Sequence, residues 1–528
     1  MARERHHAVV IGAGPNGLVA ANVLADAGWS VQVLEAQPEV GGAVRSDREL
    51  DPDFVHDTFS AFYPLGAASP VMKAMDLERY GVRWRHAPAV LGHALPDGRW
   101  ALLHRDRDVT AAGLDAAHPG DGEAWLELVE MWDRIGDPIL QAMLTPFPPV
   151  RGGVRAATAV LRTGGVDLVR TLVAPAMAIL QERFAGDLPR LLVAGNAGHA
   201  DIPLTAPGST LFGLLLAMLG QTVGFPVPEG GAGRLSEALA RRLQERGGTI
   251  TCDQEVVRID VEGGRVSGVR TADGARYPAR RVLADVAFPT LFGRLVSPEN
   301  LPRRVRRGMP GFRLDPGTVK VDWALDGPVP WASTPAYAPG TVHIADSLAE
   351  MDQVLTQLAA GVIPAKPFML AGQMTTSDPT RSPAGTEALW AYAHVPQPGS
   401  GVTDGGDGSV HGRWDHDDKE RFADRMQARL ERLAPGFGSR IRARRVLGPV
   451  EMEQRDANLI GGALGGGTAQ VDQELFFRPV AGMLGRAGTG IPGLYLASSA
   501  AHPGGGVHGA CGANAARAAL FRARLGRQ

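Results

Sequence analysis

Residues 8–46, AVVIGAGPNGLVAANVLADAGWSVQVLEAQPEVGGAVRS, decide the fold of this 528-residue chain. The stretch opens with four apolar residues, typical of a strand buried on both faces, and runs directly into G-x-G-x-x-G. In this motif the first glycine permits a tight turn, the second lets a pyrophosphate approach the backbone, and the third lets the next helix pack against the strand. The spacing predicts a dinucleotide-binding turn made of Gly12, Gly14, Pro15, Asn16 and Gly17.

The residues after this turn complete a strand–helix–strand unit. The pattern predicts a helix over Leu18–Ala27, ended by Gly28, and a second strand over Ser30–Leu34. The helix N-terminus offers free N–H groups and the positive end of its dipole to phosphates. Glu35 follows the second strand, where a carboxylate can bind a ribose hydroxyl. We therefore predict a Rossmann-type nucleotide site.

The composition is that of a globular chain and excludes several classes of function. The chain is 44% hydrophobic and 21% charged with a formal net charge of −2, so no basic excess indicates binding to nucleic acid. Cys252 and Cys511 form no C-x-x-C pair, which favours a reducing compartment and argues against a dithiol centre or a metal site. The longest apolar stretch, Thr210–Leu219, is too short to span a bilayer. We expect a cytoplasmic protein with no transmembrane segment, although peripheral membrane contact stays open.

Hydrophobic periodicity indicates a mixed fold in the rest of the chain. It predicts helices over Glu123–Met143, Val166–Phe184, Arg234–Arg246 and Asp418–Leu433. The breaker-rich segment Thr145–Gly153 separates the first two of these helices. Two-residue turns at Gly263-Gly264 and Asp273-Gly274 predict consecutive hairpins. The last stretch, 493–524, is predicted to form a strand, a glycine turn and a helix.

Nucleotide-binding features thus occur at both ends of the chain and in its middle. This distribution predicts an α/β fold in which a Rossmann-type domain is assembled from residues 1–75, 229–295 and 449–528. An α+β substrate domain, made of residues 76–228 and 296–448, would be inserted twice. At this length, two packed domains are expected rather than a single core.

Three segments resemble the phytoene-desaturase and amine-oxidase superfamily of FAD-dependent enzymes. They are the opening unit, the middle segment GGAGRLSEALARRLQERGGTITCDQEVVRIDVEGGRVSGVRTADG (230–274) and the closing segment GLYLASSAAHPGGGVHGACGANAARAA (493–519). Together they cover roughly a quarter of the chain, in the order found in that superfamily. The resemblance implies that the dinucleotide is FAD and that the last helix, near Gly509, stabilises negative charge on the flavin ring.

The resemblance also implies cofactor contacts beyond the first turn. The acid after the second strand would bind the adenosine ribose, and the following paired glycines with an arginine would continue along the pyrophosphate. A valine pair in the middle segment would meet the adenine through its backbone. After the last strand this chain has two serines where many relatives carry an acid. The residues implied are Glu35, Ala36, Gly41, Gly42, Arg45, Val256, Val257, Ser498, Ser499, Gly505, Gly506 and Val507.

The reaction implied is an FAD-dependent dehydrogenation or desaturation. A hydride from a substrate C–H would pass to flavin N5, giving C=C or C=N in an apolar or cyclic small molecule of isoprenoid or natural-product metabolism. The chain has one dinucleotide fingerprint and no cysteine pair, so oxygen or a quinone is expected as the electron acceptor. Two alternatives stay open: an amine-oxidase-type flavoenzyme, and a non-catalytic FAD-binding scaffold or chaperone.

Several side chains near these motifs are candidates for chemistry. His502 and His508 flank the last glycine turn and are the candidate catalytic acid or base, the alternative being that they brace the backbone. Arg478 is either a substrate or flavin ligand or a plain surface arginine, and Cys511 is interpreted as a small buried hydrophobe rather than a reactive thiol. The glycines at 461–467 are interpreted as turns, because no strand-to-helix context frames them.

Overall fold

The computed structural model describes residues 7–200, 202–399 and 401–526. Over these residues the chain builds two main sheets, one of five strands and one of seven, with helices packed against each. No helix in these ranges has both the length and the apolar character needed to cross a membrane. The predicted α/β class is confirmed.

The five-stranded sheet is wholly parallel and is collected from distant parts of the chain. Its strands in spatial order are Leu494–Leu496, Val282–Ala284, Ala8–Ile11, Val31–Leu34 and Thr249–Thr251. Side chains alternate along each strand, so Ala8 and Val10 enter one core while Val9 and Ile11 enter another. The division into two domains and the residue limits of each stay a prediction.

Each face of this sheet is covered by a different layer. One face packs against the helices Pro15–Asp26, Gly233–Glu245 and Ala510–Arg524. The other packs against a three-stranded antiparallel sheet formed by Val256–Glu262, Arg265–Thr271 and Arg276–Pro278. The hairpin turns predicted at Gly263-Gly264 and Asp273-Gly274 join these three strands.

The first helix begins earlier than its apolar pattern suggested. It spans Pro15–Asp26, whereas the sequence predicted Leu18–Ala27. Proline at the first helical position has no N–H to lose and a φ already suited to the helix, so the glycine motif itself contains the first turn. The consequence is that the helix N-terminus lies inside the motif.

The seven-stranded sheet is mixed and lies apart from the glycine turns in sequence. Its strands in spatial order are Ile441–Leu447, Gly317–Leu325, Glu387–Val395, Met369–Gln373, Pro339–Ile344, Ala89–Ala94 and Trp100–Leu103. One face packs on the helix His416–Leu433, which confirms the charged helix predicted there. The other face packs on a layer of helices whose apolar side chains form a large separate core.

This helical layer corrects two predictions. Its helices are Arg107–Ala117, Asp121–Met143, Val150–Thr163, Gly165–Val173, Ala176–Arg183, Asp187–Ala197 and Ser209–Thr222. The single helix predicted over Val166–Phe184 is wrong: Pro175 separates two shorter helices, since proline cannot donate the hydrogen bond that an uninterrupted helix needs. The prediction that Thr145–Gly153 interrupts the helices is also wrong for the second half of that segment. Residues 150–153 begin a helix despite their paired glycines.

Buried charges connect the seven-stranded sheet to the segment that follows the first strand–helix–strand unit. Arg381 donates to the carboxylate of Asp57 over 2.9 Å and to that of Asp378 over 3.0 Å. Lys320 donates to the carbonyl of Asp57 over 3.0 Å and pairs with Asp322. Removing one member of such a network leaves an uncompensated charge in the interior, so these pairs fix the segment around Asp57 against the seven-stranded sheet.

Candidate functional site

A cleft that is open to solvent lies where the parallel strands end. The carboxyl ends of parallel strands are where α/β sheets bind ligands. Many of the predicted cofactor residues line it: Gly12, Gly14, Pro15, Asn16, Glu35, Ala36, Gly42, Val256, Ser499, Gly506 and Val507. The wall also contains residues to which the sequence did not point, among them Gln37, Gln254, Asp285, Arg294, Asp456 and Gly466.

Asp285 organises the first glycine turn from beneath. Its Oδ2 accepts the Gly17 N–H over 2.7 Å, and a Cβ added to Gly14 would lie 3.0 Å from the same oxygen. Burial, with the nearby carboxyl groups of Asp456 and Glu35, raises the pKa of Asp285 to about 8 against the lowering effect of the Gly17 N–H. The raised pKa favours the uncharged carboxyl group, which spares a bound pyrophosphate a repulsive neighbour. Its signal in the sequence is the same as that of Glu35: an acid directly after an apolar strand.

Glu35 is held by backbone donors at the mouth of the cleft. Its Oε2 accepts the Ala13 N–H over 2.6 Å and its Oε1 accepts the Gln37 N–H over 2.9 Å. Burial raises the pKa of Glu35, and these two hydrogen bonds oppose that rise. The carboxylate thus ties the glycine turn to the end of the second strand and still lines the cleft. A role in binding ribose stays a prediction.

Replacing Glu35 by Ala should weaken FAD retention by about tenfold or more, since charge-assisted hydrogen bonds contribute about 1.5–3 kcal/mol each. Glu35→Gln is the matched variant: it keeps the size and one acceptor oxygen, so it should lie between the wild type and Glu35→Ala. The measurement is equilibrium FAD binding to protein stripped of its flavin. Undiminished binding by Glu35→Ala would contradict the assignment.

The paired glycines of the opening unit touch the first turn. A Cβ on Gly42 would lie 3.2 Å from the Cα of Gly14 and 3.3 Å from Oδ2 of Asp456. Arg45 holds Gly42 through a hydrogen bond. Its guanidinium donates to the carbonyls of Gly42 over 2.9 Å and of Arg455 over 2.8 Å. Arg45 thus joins the turn to the 455–459 loop, and its predicted contact with the pyrophosphate stays a prediction.

The remaining predicted positions divide between the cleft wall and the structure behind it. Val256 is buried in the wall, whereas Val257 is 40% exposed at an irregularity in the strand. Ser499 lines the cleft, but Ser498 donates its hydroxyl to the carbonyl of Val286 over 2.7 Å. The predicted residues outside the cleft wall are Gly17, Gly41, Arg45, Val257, Ser498 and Gly505.

His502 and His508 are both buried beside the last glycine turn. Burial lowers the pKa of each to about 4, and the positive charge of Arg478 contributes to both shifts. His508 accepts the Ala510 N–H at Nδ1 over 3.0 Å, and Ser69 donates to its carbonyl over 2.7 Å. Both imidazoles are therefore neutral at pH 7, and the hydrogen bond from Ala510 favours bracing of the turn by His508. A catalytic role for either residue stays a prediction.

Arg478 is buried, which excludes its interpretation as a plain surface arginine. Its side chain is 1% exposed and its guanidinium donates to the carbonyls of Ser499 and Gly465 over 2.9 and 3.0 Å. Glu474, 2.7 Å away, balances its charge. A Cβ on Gly504 would lie 3.1 Å from the guanidinium carbon. Arg478 therefore connects the 465–467 glycines to the 499–505 turn. The interpretation of these glycines as turns is incomplete, because Gly466 also lines the cleft.

Cys511 is buried in the last helix, as the sequence predicted. Its Sγ lies 3.4 Å from the carbonyl oxygens of Ala501 and Gly504, towards which the thiol points. Burial raises the pKa of the Cys511 thiol to about 12, so the thiolate is not available at neutral pH. Cys252 is likewise a free cysteine, and the two form no disulfide.

The cleft wall brings together the three segments that the sequence assigned to FAD. It contains the strand end at 254–256, the first glycine turn with Glu35, and Gly506 with Val507. The first residues of the helix Pro15–Asp26 also line it, and helix N-termini bind phosphates. Which part of FAD each segment contacts stays a prediction.

Comparison with known proteins agrees with this geometry. The sequence model of the family described as "Flavin containing amine oxidoreductase" matches residues 16–520. The chain is similar to mouse pyridine nucleotide-disulfide oxidoreductase domain-containing protein 2, with 29% identity over 98% of this chain and 94% of that protein. It is also similar to the lycopene-forming phytoene desaturase of Pseudescherichia vulneris, with 24% identity over 97% and 98% of the two chains.

Solved structures show the same fold. An oxidoreductase from Methanosarcina mazei matches with a TM-score of 0.61 and 15% identity, covering 97% of this chain and 99% of the other. Cyclohexylamine oxidase from Brevibacterium oxydans matches with a TM-score of 0.58 and 16% identity, covering 99% and 100%. The protein is an FAD-dependent oxidoreductase. With the match extending over residues 16–520 and the cleft built from the residues described above, the chain belongs to the flavin-containing amine oxidoreductase family.

Proposed function

We propose that the protein is an FAD-dependent dehydrogenase or desaturase that oxidises a C–H bond of an apolar or cyclic small molecule to C=C or C=N. When bound, FAD supplies a two-electron acceptor at N5 of its ring. The names of the phytoene desaturases among its relatives support a substrate of this kind. The protein's own contribution is to hold the cofactor and to shape the space beside the ring.

The observation that carries the proposal is the apolar surface next to Gly506. A Cβ on Gly506 would lie 2.8 Å from Cδ1 of Leu65, so this leucine adjoins the turn on which the ring is expected. Leu65 and Phe62 are only partly buried and pack against the large core of the helical layer. Phe62 also lies 6.0 Å, ring to ring, from Trp390 of the seven-stranded sheet. A substrate beside the flavin would therefore meet apolar and aromatic side chains, which position a C–H bond and exclude water.

The route by which electrons leave is inferred from the cysteines and from the fingerprint. The two cysteines of the chain are free and unpaired with each other, and the sequence contains one G-x-G-x-x-G fingerprint with its strand, helix and acid. A dithiol relay and a second dinucleotide site therefore have no support. We propose oxygen or a quinone as the acceptor.

The test is anaerobic titration of the purified holoprotein while the visible absorption of its flavin is recorded. The probes are phytoene in detergent micelles, cyclohexylamine and detergent alone. Bleaching by phytoene, or by both substrates, is the expected result. Bleaching by cyclohexylamine alone would overturn the C=C reaction and favour the alternative of an amine-oxidase-type flavoenzyme. If neither compound bleaches the flavin while dithionite does, the proposal is wrong and a scaffold role is favoured.

Leu65→Gln tests the apolar surface in the same assay. It places a polar amide beside the expected ring position and should slow bleaching by phytoene about tenfold, because desolvating an unpaired amide costs about 1–3 kcal/mol. Its FAD content and its reduction by dithionite should match those of the wild type. Equal rates of bleaching would show that this surface does not contact the substrate.

A further inference from the structure

Large exposed apolar side chains are concentrated in one region of the surface. Of sixteen such side chains among the described residues, eleven lie within residues 150–173 and 471–484. We call these two segments together the docking surface. Scattered exposed apolar residues need no explanation, but a concentration of this kind marks a binding site.

The helix Val150–Thr163 shows why this surface is unusual. Three of its four large aliphatic side chains point outward: Val150, Val154 and Leu161, one above another along the helix, are 70%, 65% and 61% exposed, and only Val160 is buried. Small residues form the side that packs on the preceding helix, where a Cβ on Gly152 would lie 3.1 Å from the Cα of Ala142. A helix made only to cover its own protein would turn its aliphatic side chains inward. This one presents them to something outside the chain.

The two segments of the docking surface adjoin each other at both ends. Phe147, just before the helix, lies 6.4 Å from Phe476, ring to ring. At the other end, the Gly208 N–H donates to the carbonyl of Val173 over 2.8 Å, and a Cβ on Gly208 would lie 3.7 Å from Val471. The exposed side chains of the helices and of the 471–484 loop thus border one continuous region.

Positive charge accompanies this apolar surface. Arg151, Arg155 and Arg162 are exposed beside the aliphatic row, and in the described part of the chain none of them pairs with a carboxylate. The two segments of the docking surface hold five arginines, two aspartates and one glutamate, a net of two positive charges, whereas the whole chain carries −2. Aliphatic side chains flanked by unpaired arginines are the pattern of a helix that lies in the interface of an anionic bilayer.

A second copy of the chain fits this surface less well. In a twofold-symmetric dimer the same patch meets itself, so the three arginines of each copy would be brought close to those of the other. Juxtaposed like charges oppose association, whereas anionic headgroups would neutralise them. The charge therefore selects a lipid surface as the occupant.

We propose that the docking surface binds peripherally to a lipid bilayer with anionic headgroups. The bound face leads towards the flavin turn, because the ring of Phe147 lies edge-on to His502 at 5.6 Å. Uptake of an apolar substrate from the bilayer at this point rests on the proposed function. Membrane binding itself does not.

The experiment is vesicle flotation of the full-length holoprotein. Vesicles of phosphatidylcholine alone are compared with vesicles that also contain phosphatidylglycerol, at low and at high salt. We expect the protein to float with the anionic vesicles at low salt and to be largely released at high salt. The triple variant Arg151→Gln, Arg155→Gln, Arg162→Gln should lose about fivefold in partitioning for each arginine replaced. Failure of the wild type to float with either kind of vesicle would overturn the proposal.

A double variant, Val154→Asp with Leu161→Asp, tests the apolar part. Both positions are exposed, so the fold and the FAD content should stay unchanged, while partitioning should fall at least about tenfold. Phe521→Asp is the matched control, since Phe521 is 63% exposed on the last helix and is not part of the docking surface, so this substitution should leave partitioning unchanged.

Sedimentation of the same proteins in the absence of lipid distinguishes a lipid bilayer from a second copy of the chain as the occupant of the docking surface. The wild type and the double variant should sediment alike. A wild-type dimer that the double variant dissociates would assign this face to self-association and overturn the proposal. Bleaching by phytoene in micelles is measured independently, so failure to bind vesicles and failure of the proposed reaction are distinguishable.

Discussion

Gly17→Ala is expected to abolish FAD binding at micromolar concentrations of the cofactor. A Cβ at this position would lie 2.2 Å from the carbonyl oxygen of Gly12 and 3.1 Å from Oδ2 of Asp285. Neither atom of the first contact can rotate away, because the added Cβ is bonded directly to the backbone and the Gly12 oxygen is part of it. The helix must move away from the strand, which breaks the 2.7 Å hydrogen bond between the Gly17 N–H and Asp285 and displaces the phosphate-facing N-terminus. Overpacking of this kind costs about 1–3 kcal/mol, and the loss of site geometry adds to it, so affinity should fall by about a hundredfold or more.

Gly113→Ala provides the matched control for this prediction. Gly113 lies inside the helix Arg107–Ala117 with nothing within 4 Å of its added Cβ. Alanine there should leave FAD binding unchanged and raise the free energy of unfolding by up to about 1 kcal/mol. Isothermal titration with FAD and chemical denaturation measure the two quantities. Wild-type affinity in Gly17→Ala would contradict the assigned role of the turn.

Arg478→Met is expected to lower the free energy of unfolding by about 3–5 kcal/mol, the range found when one member of a buried ion pair is removed. The methionine leaves Glu474 buried without its cation and leaves the carbonyls of Gly465 and Ser499 without their donor. Burial already raises the pKa of Glu474 while Arg478 lowers it, so loss of the arginine should raise that pKa further and leave a protonated acid in the interior. The 465–467 and 499–505 segments would then separate, and FAD affinity should fall with them.

Two further variants distinguish positioning of the turn from a general loss of stability. Arg478→Lys keeps the charge but cannot make the planar set of hydrogen bonds, so it should recover part of the stability and little of the FAD affinity. Arg478→Met combined with Glu474→Gln removes both charges and should recover stability relative to the single variant. If FAD affinity recovers fully in that double variant, Arg478 contributes only charge balance and its role in holding the turn is refuted.

The sequence alone was sufficient wherever function depends on local backbone geometry. Gly12, Gly14 and Gly17 predicted the turn because only glycine permits its conformation and close contacts, and Glu35 was predicted by its place after an apolar strand. The hairpins at 263–264 and 273–274 followed from their glycine turns in the same way. Each of these features is encoded within a few consecutive residues.

Only the tertiary structure decided which distant residues share the cleft. Asp285 lies 268 positions from the Gly17 N–H that it accepts, and its hydrogen bond exists because two parallel strands place their ends side by side. Arg478 reads as an ordinary arginine in the sequence and becomes the buried connection between two glycine segments. The helix that begins at residue 150 differs from the sequence prediction because packing against neighbours outweighs the local preference of its paired glycines. Backbone geometry is determined by a few consecutive residues. Burial and the choice of hydrogen-bond or ion-pair partners depend on contacts between residues hundreds of positions apart, so only folding determines them.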